Sequence, residues 1–200
     1  MGFVNALFAQ VAVLYNNEDI QIQISELLIW DNTDPYIDST STSTLLAGFR
    51  EEVGYEFNGD IAHLISGRDL GGGIARLDAL CNKEGTGISS SINNTVVNVP
   101  TYSWNVYVVA HELGHNFGSP HTQSCSWPGG PIDNCVSPEW SCSPGPAPIG
   151  GGTIMSYCHG SSYGINFNKG FDTLPGNLIR NRTQFCFGSN LTPTNLQVLE

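Results

Sequence analysis

Apolar residues recur at helical spacing at Phe3, Leu7, Val11 and Leu14, which predicts an amphipathic helix over residues 3–16. The pattern then switches to alternation at Ile20, Ile22 and Ile24, so the segment running to Trp30 reads as a strand. A polar, turn-rich loop occupies residues 31–43, and Leu45, Leu46, Phe49 and Val53 share one face of a second helix over 44–57. Short strands are expected over 60–66 and 73–77, separated by the run Gly71-Gly72-Gly73. No Lys-Ser/Thr follows that run and no helix opens there, so it reads as close backbone approach at a sheet edge rather than a phosphate cradle. Residues 87–99 are β-prone, and Ser103 is placed to cap a helix whose Val106, Val109, Ala110, Leu113 and Phe117 face a core. Periodicity vanishes over 119–152, where Pro, Gly, Ser and Cys dominate. It returns as a helix over 178–185, and 189–200 reads as a linker to something downstream. No internal repeat is present.

The helix after Ser103 carries the chemistry. It contains His111-Glu112-Leu113-Gly114-His115-Asn116-Phe117-Gly118-Ser119-Pro120-His121. His111 and His115 lie four residues apart, so both rings project from one helical face toward a single metal ion. Glu112 is rotated away from that pair and can meet a metal-bound water instead of the metal. Gly118 can adopt a left-handed conformation that ends the helix, and the resulting turn brings His121 round as a third ligand. Three imidazoles leave a fourth position open for water, which marks a catalytic rather than a structural zinc site. A chance match to this whole pattern in 200 residues is rarer than about one in a thousand.

Composition narrows the setting. With 40% hydrophobic residues, the chain can bury one substantial core, and its longest apolar candidate, residues 3–15, is too short to span a membrane and is interrupted by Asn5 and Gln10. That segment also lacks the basic start of a signal peptide and reads as an amphipathic helix, so a processed or recombinant form of a secreted protein is expected. A formal net charge of −11 argues against nucleic acid or an anionic membrane as partner and mildly favours neutral or cationic substrates. Six cysteines, Cys81, Cys125, Cys135, Cys142, Cys158 and Cys186, predict disulfides in an oxidising compartment. A structural zinc on Cys125, Cys135 and Cys142 is the weaker reading, because no CxxC pair is present.

The long histidine motif, the run Gly150-Gly151-Gly152 and the segment Thr153-Ile154-Met155-Ser156-Tyr157 together resemble the metzincin metallopeptidases. In that family a methionine-containing turn lies beneath the zinc ligands, and Met155 is the matching residue. Asp60 to Gly73, with Cys81 and Cys186, is most similar to the adamalysin (reprolysin) branch, particularly its bacterial members. The resemblance covers about residues 3–188. It implies an α+β, zincin-like fold, three-layered as α/β/α. The sheet would be mixed and mainly parallel with an antiparallel edge strand, accompanied by an active-site helix and a small irregular C-terminal subdomain. The catalytic domain would span 1–188, with 1–118 above the cleft and 119–188, containing the Met-turn, below it.

By the same resemblance the protein is a secreted zinc endopeptidase acting on protein or peptide substrates through a zinc-bound water activated by Glu112. The alternative is a non-catalytic adhesion or binding module that keeps the zinc site. Gly73, Ile74 and Ala75 would bind an extended peptide by strand addition, and a propeptide or inhibitor would occupy the same cleft. Cys81–Cys186 would bridge to the C-terminal helix. For the four central cysteines the preferred pairing is Cys125–Cys158 with Cys135–Cys142, three connectivities remaining open. Calcium is implied at Asp60 and the backbone near Cys186 without being assigned.

Three departures stand out. Thr122 follows the third histidine where many adamalysins have Asp. Tyr157 follows the astacin and serralysin pattern, in which that hydroxyl approaches zinc, so it is a candidate fifth ligand or oxyanion donor. The family fold begins with a strand before the first helix, whereas this chain starts within that helix, so upstream sequence or another segment is expected to fill the gap. Of the remaining histidines, His63 reads as a satisfied polar residue in or beside a strand. His159 belongs either to the substrate pocket or to the surface.

Overall fold

The computed structural model describes residues 2–30 and 33–188, and residues 194–199 by their backbone. The periodic segments form α1 (Gly2–Asn16), β1 (Ile22–Leu28), α2 (Thr42–Val53), β2 (Ile61–Ile65), β3 (Gly73–Ala75), β4 (Thr86–Ser89), α3 (Trp104–Asn116), α4 (Thr173–Phe187) and β5 (Thr194–Leu199). Boundaries follow local chemistry. Helix α2 starts early because Ser41 and Thr44 form a reciprocal capping box, and it stops at Gly54, whose φ is +59°. The β-prone stretch after Gly87 is strand only to Ser89. Ser103 does precede α3, but its side chain makes no capping hydrogen bond, contrary to the expected cap.

The five strands lie in the order β1-β5-β2-β4-β3. All neighbours are parallel except β3, which runs antiparallel to β4 at the edge. Strand β2 is buried on both faces, the usual consequence of helices covering a parallel sheet. Ile61 and Ile65 pack with Leu7, Val11 and Leu14 of α1 and Val106, Val109 and Leu113 of α3. Ala62 and Leu64 face Leu45 and Phe49 of α2 instead. The result is the expected α/β/α layering.

The reading of 189–200 as a linker is corrected for residues 194–199. This segment pairs with β1 on one side and β2 on the other. Two unpaired strand edges facing each other present rows of backbone donors and acceptors, and Thr194-Asn195-Leu196-Gln197-Val198 supplies the β-prone alternation to satisfy them. Residues 189–193 and 200 lie outside the described residues.

Below α3 the chain from 119 to 172 contains only short 3-10 turns and isolated bridges among the described residues. Three disulfides are present. Cys81–Cys186 is as expected, but the central pairing is Cys125–Cys142 and Cys135–Cys158, correcting the nested arrangement preferred from sequence. The reason is local alignment. A parallel bridge between Ser124 and Glu139 brings the Cys142 segment beside Cys125, while Ile132 N–H donates to Thr122 O at 2.7 Å and carries Cys135 back under the cleft toward Cys158. Glu18, buried at the end of α1, joins the two parts by pairing with Arg180 of α4 and accepting from Phe171 N–H.

Candidate active site

Helix α3 is anchored at its C-terminal end by backbone hydrogen bonds that its own turns cannot supply. Asp78 N–H and Ala79 N–H donate to His115 O and Asn116 O at 2.9 and 3.0 Å. Asn116 donates its side-chain amide to Arg76 O and Thr86 O, tying the helix to the β3–β4 side of the sheet. The chain then turns at Gly118 (φ +96°), where an added Cβ would lie 2.9 Å from Asp78 Oδ1. This turn delivers His121 to the rings of His111 and His115, and the candidate ligand atoms of all three lie within 4.8 Å of one another.

Each ring has its tautomer set by its Nδ1 partner. His111 Nδ1–H donates to Ile154 O at 2.8 Å and His115 Nδ1–H to Ser119 O at 2.7 Å. His121 Nδ1–H donates to Glu139 Oε1. These acceptors carry no proton of their own, so the Nδ1 atoms hold the hydrogens and the Nε2 lone pairs point into the site. Burial pushes the His111 pKa well down and that of His115 to about 3, which keeps both rings neutral. His115 Nε2 and His121 Nε2 stand 3.0 Å apart. Two lone pairs facing each other at that distance repel unless a cation lies between them. Two tetrahedral ligands about 2.05 Å from one zinc would stand about 3.3 Å apart, so the donor set fits zinc. The other described cluster, Asp133 with Cys135 and Cys158, has both sulfurs in a disulfide, and Asp60 belongs to neither group.

Glu112 is buried beside the triad, and burial raises its pKa well above the usual carboxylate range. Its Oε2 has no hydrogen-bond partner among the described residues. Gly73 of β3 makes room for it, since a Cβ there would lie 2.5 Å from Glu112 Cγ. Met155 is fully buried directly beneath α3, where a Cβ on Gly114 would lie 2.5 Å from its Sδ. Thr122 takes up the support of this turn through its backbone, donating N–H to Met155 O at 3.1 Å. Tyr157 lies with its ring centroid 4.5 Å from that of His121, and burial pushes its pKa up to about 12.

Gly73, Ile74 and Ala75 line one cleft of about 420 Å³ together with Leu77, Glu112, His115, Pro120, His121, Glu139 and Tyr157. A second cavity of about 260 Å³ shares Gly73, Glu112 and Tyr157 and is walled by Trp104, Tyr107, Val108, Val136 and His159. His159 is therefore a pocket residue, with its Nδ1 3.0 Å from the Tyr107 hydroxyl. His63 is buried in β2 with Nε2 2.9 Å from Ser89 Oγ, away from the cleft. Sequence reasoning passed over Glu139, Trp104 and Tyr107. The aromatic pair precedes the motif by a helical repeat, a usable signal, whereas nothing local marks Glu139.

Residues 1–168 match the reprolysin grouping of metallo-peptidase family M12. The chain belongs to that zinc-dependent metallopeptidase family. It is 31% identical over 129 residues to the snake venom metalloproteinase trimerelysin-2 of Protobothrops flavoviridis, covering 59% of this chain and 60% of that protein. It is also 31% identical over 114 residues to disintegrin and metalloproteinase domain-containing protein 19 of Mus musculus, covering 54% of this chain and 12% of that protein. The chain thus spans less than two thirds of either relative. No described helix is long and apolar enough to cross a membrane.

Proposed function

We propose that this M12 family member is a secreted zinc endopeptidase with His111, His115 and His121 as metal ligands and Glu112 as general base. The convergence of three imidazoles beside a buried carboxylate whose Oε2 has no partner among the described residues supports this reading above all. Zinc held by His111, His115 and His121 would supply a Lewis acid that activates water and polarises the scissile carbonyl.

The rest is done by the chain. The free edge of β3 pairs with an extended peptide, so that Gly73, Ile74 and Ala75 hold the backbone next to Glu112. Glu112 takes the proton of the attacking water and passes it to the departing amine as the C–N bond breaks. The Tyr157 hydroxyl, kept protonated by its raised pKa, donates to the developing oxyanion. The aromatic and apolar walls of the second cavity favour an apolar substrate side chain beside the cleaved bond. A propeptide or inhibitor would enter along the same β3 edge. Three disulfides suit the extracellular setting.

The decisive experiment is digestion of an unfolded protein by the parent and by Glu112→Gln, each assayed for zinc. The variant is expected to keep its zinc and to lose roughly 10²–10⁴-fold in turnover. Equal turnover by the two proteins removes Glu112 from the mechanism. A parent that binds zinc but cleaves nothing leaves the binding-module reading.

A further inference from the structure

The three rings differ in what holds them from behind, and the difference falls on His121. His111 and His115 lean on neutral backbone carbonyls, those of Ile154 and Ser119. His121 Nδ1 donates instead to a carboxylate, Glu139 Oε1, at 2.5 Å. Glu139 arrives from a loop that is itself well fixed. Its N–H donates to Gln123 O at 3.0 Å, its backbone bridges to Ser124, and the Cys125–Cys142 disulfide closes the loop around it. Gln123 Nε2 donates to the same Oε1 at 3.2 Å and orients the carboxyl group.

An imidazole between an anion and a metal is a better ligand than a free one. The carboxylate opposes the charge of the ion across the ring and fixes both tautomer and ring angle. A bond to an ionised acceptor is also roughly twice as strong as one to a carbonyl. We propose that Glu139 is the positioning residue for His121, and that its negative charge sets how tightly the site holds zinc. This inference rests on the zinc reading above.

The test compares the parent with Glu139→Gln and Glu139→Ala by zinc affinity in competition with a chelator, the visible spectrum of the cobalt-substituted protein, and the Tm of the metal-free protein. Glutamine keeps an acceptor oxygen and removes only the charge. Zinc affinity is expected to fall about 10-fold in Glu139→Gln and toward about 100-fold in Glu139→Ala, with shifted cobalt bands. The metal-free Tm should not change, because this side chain is 36% exposed and its loop is held by backbone and disulfide. Affinities within twofold of the parent in both variants would overturn the proposal while leaving the zinc reading intact. So would weaker binding that tracks a lower metal-free Tm with unchanged cobalt bands, since Glu139 would then be structural only. A parent that takes up no zinc overturns the zinc reading itself, and this proposal with it.

Discussion

Above the cleft, Gly73–Ala75 and His111 to His115 sit on a strand and a helix whose places are set by a shared apolar core on either side of β2. Across it, residues 119–172 have almost no regular structure among the described residues. Ile154, Met155, Phe167 and Phe171 join the same core, while His121, Glu139 and Tyr157 are fixed by disulfides, glycine turns and single hydrogen bonds. One wall gains its rigidity from apolar contacts on both faces of a sheet, and the other from a share of that core plus a few specific links. Cutting a link in the second wall should therefore cost activity out of proportion to stability.

Removing disulfides gives the largest effects. Replacing Cys81 and Cys186 by serine opens a bond spanning 105 residues, and replacing Cys135 and Cys158 opens one spanning 23. On chain-entropy grounds the losses are about 4.8 and about 3.4 kcal/mol, readable by urea unfolding. Hydrolysis should show the reverse order, because Cys158 adjoins Tyr157 and Cys81–Cys186 lies outside the cleft. Equal losses of hydrolysis from the two double variants would end the contrast between the walls.

Glycine substitutions probe the walls at single atoms. Gly114→Ala drives a methyl to 2.5 Å from Met155 Sδ and 3.0 Å from Phe171 Cε1. Such overpacking should lower stability by about 1–3 kcal/mol. Gly73→Ala meets Glu112 Cγ at 2.5 Å and Ile88 O at 2.6 Å, where the backbone oxygen cannot yield. Displacing the proposed base Glu112 by about 1 Å should reduce kcat/KM on the order of 10²-fold. A Gly73→Ala variant as active as the parent would show that Glu112 need not lie where it does.

The most gradual effect is a pH slope in the core around β2. Burial holds the His63 pKa down at about 3, against 6.5 in the unfolded chain. Below pH 6.5 the unfolded chain thus binds a proton that the folded chain refuses. Stability falls as pH drops from there toward 3, by about 1.4 kcal/mol per pH unit for this one group. His63→Gln should show a shallower decline in its urea midpoint between pH 7 and pH 5 than the parent; identical slopes would refute the assignment.

The same division explains what could be read in advance. Helix α3 and strand β3 were legible because alternation and helical repeats are local, and the spacing of His111, Glu112 and His115 places all three side chains with no knowledge of the rest. The turn at Gly118 was legible for the same reason, since a positive φ there needs glycine. Cysteine pairing was not, because a chain-entropy argument barely separates the alternative loops among Cys125, Cys135, Cys142 and Cys158. Strand β5 was missed because a short alternating tail reads as linker until two open strand edges flank it.

By itself, then, the amino-acid order determined that three imidazoles and one carboxylate would converge, because a helix and one glycine turn suffice to bring them together. Tertiary structure alone decided that Glu139 would stand behind His121, that Thr122 would hold the Met155 turn by its backbone, and that residues 194–199 would complete the sheet. Each of those contacts joins segments with no shared periodicity, and only the packed chain brings their donors and acceptors within reach.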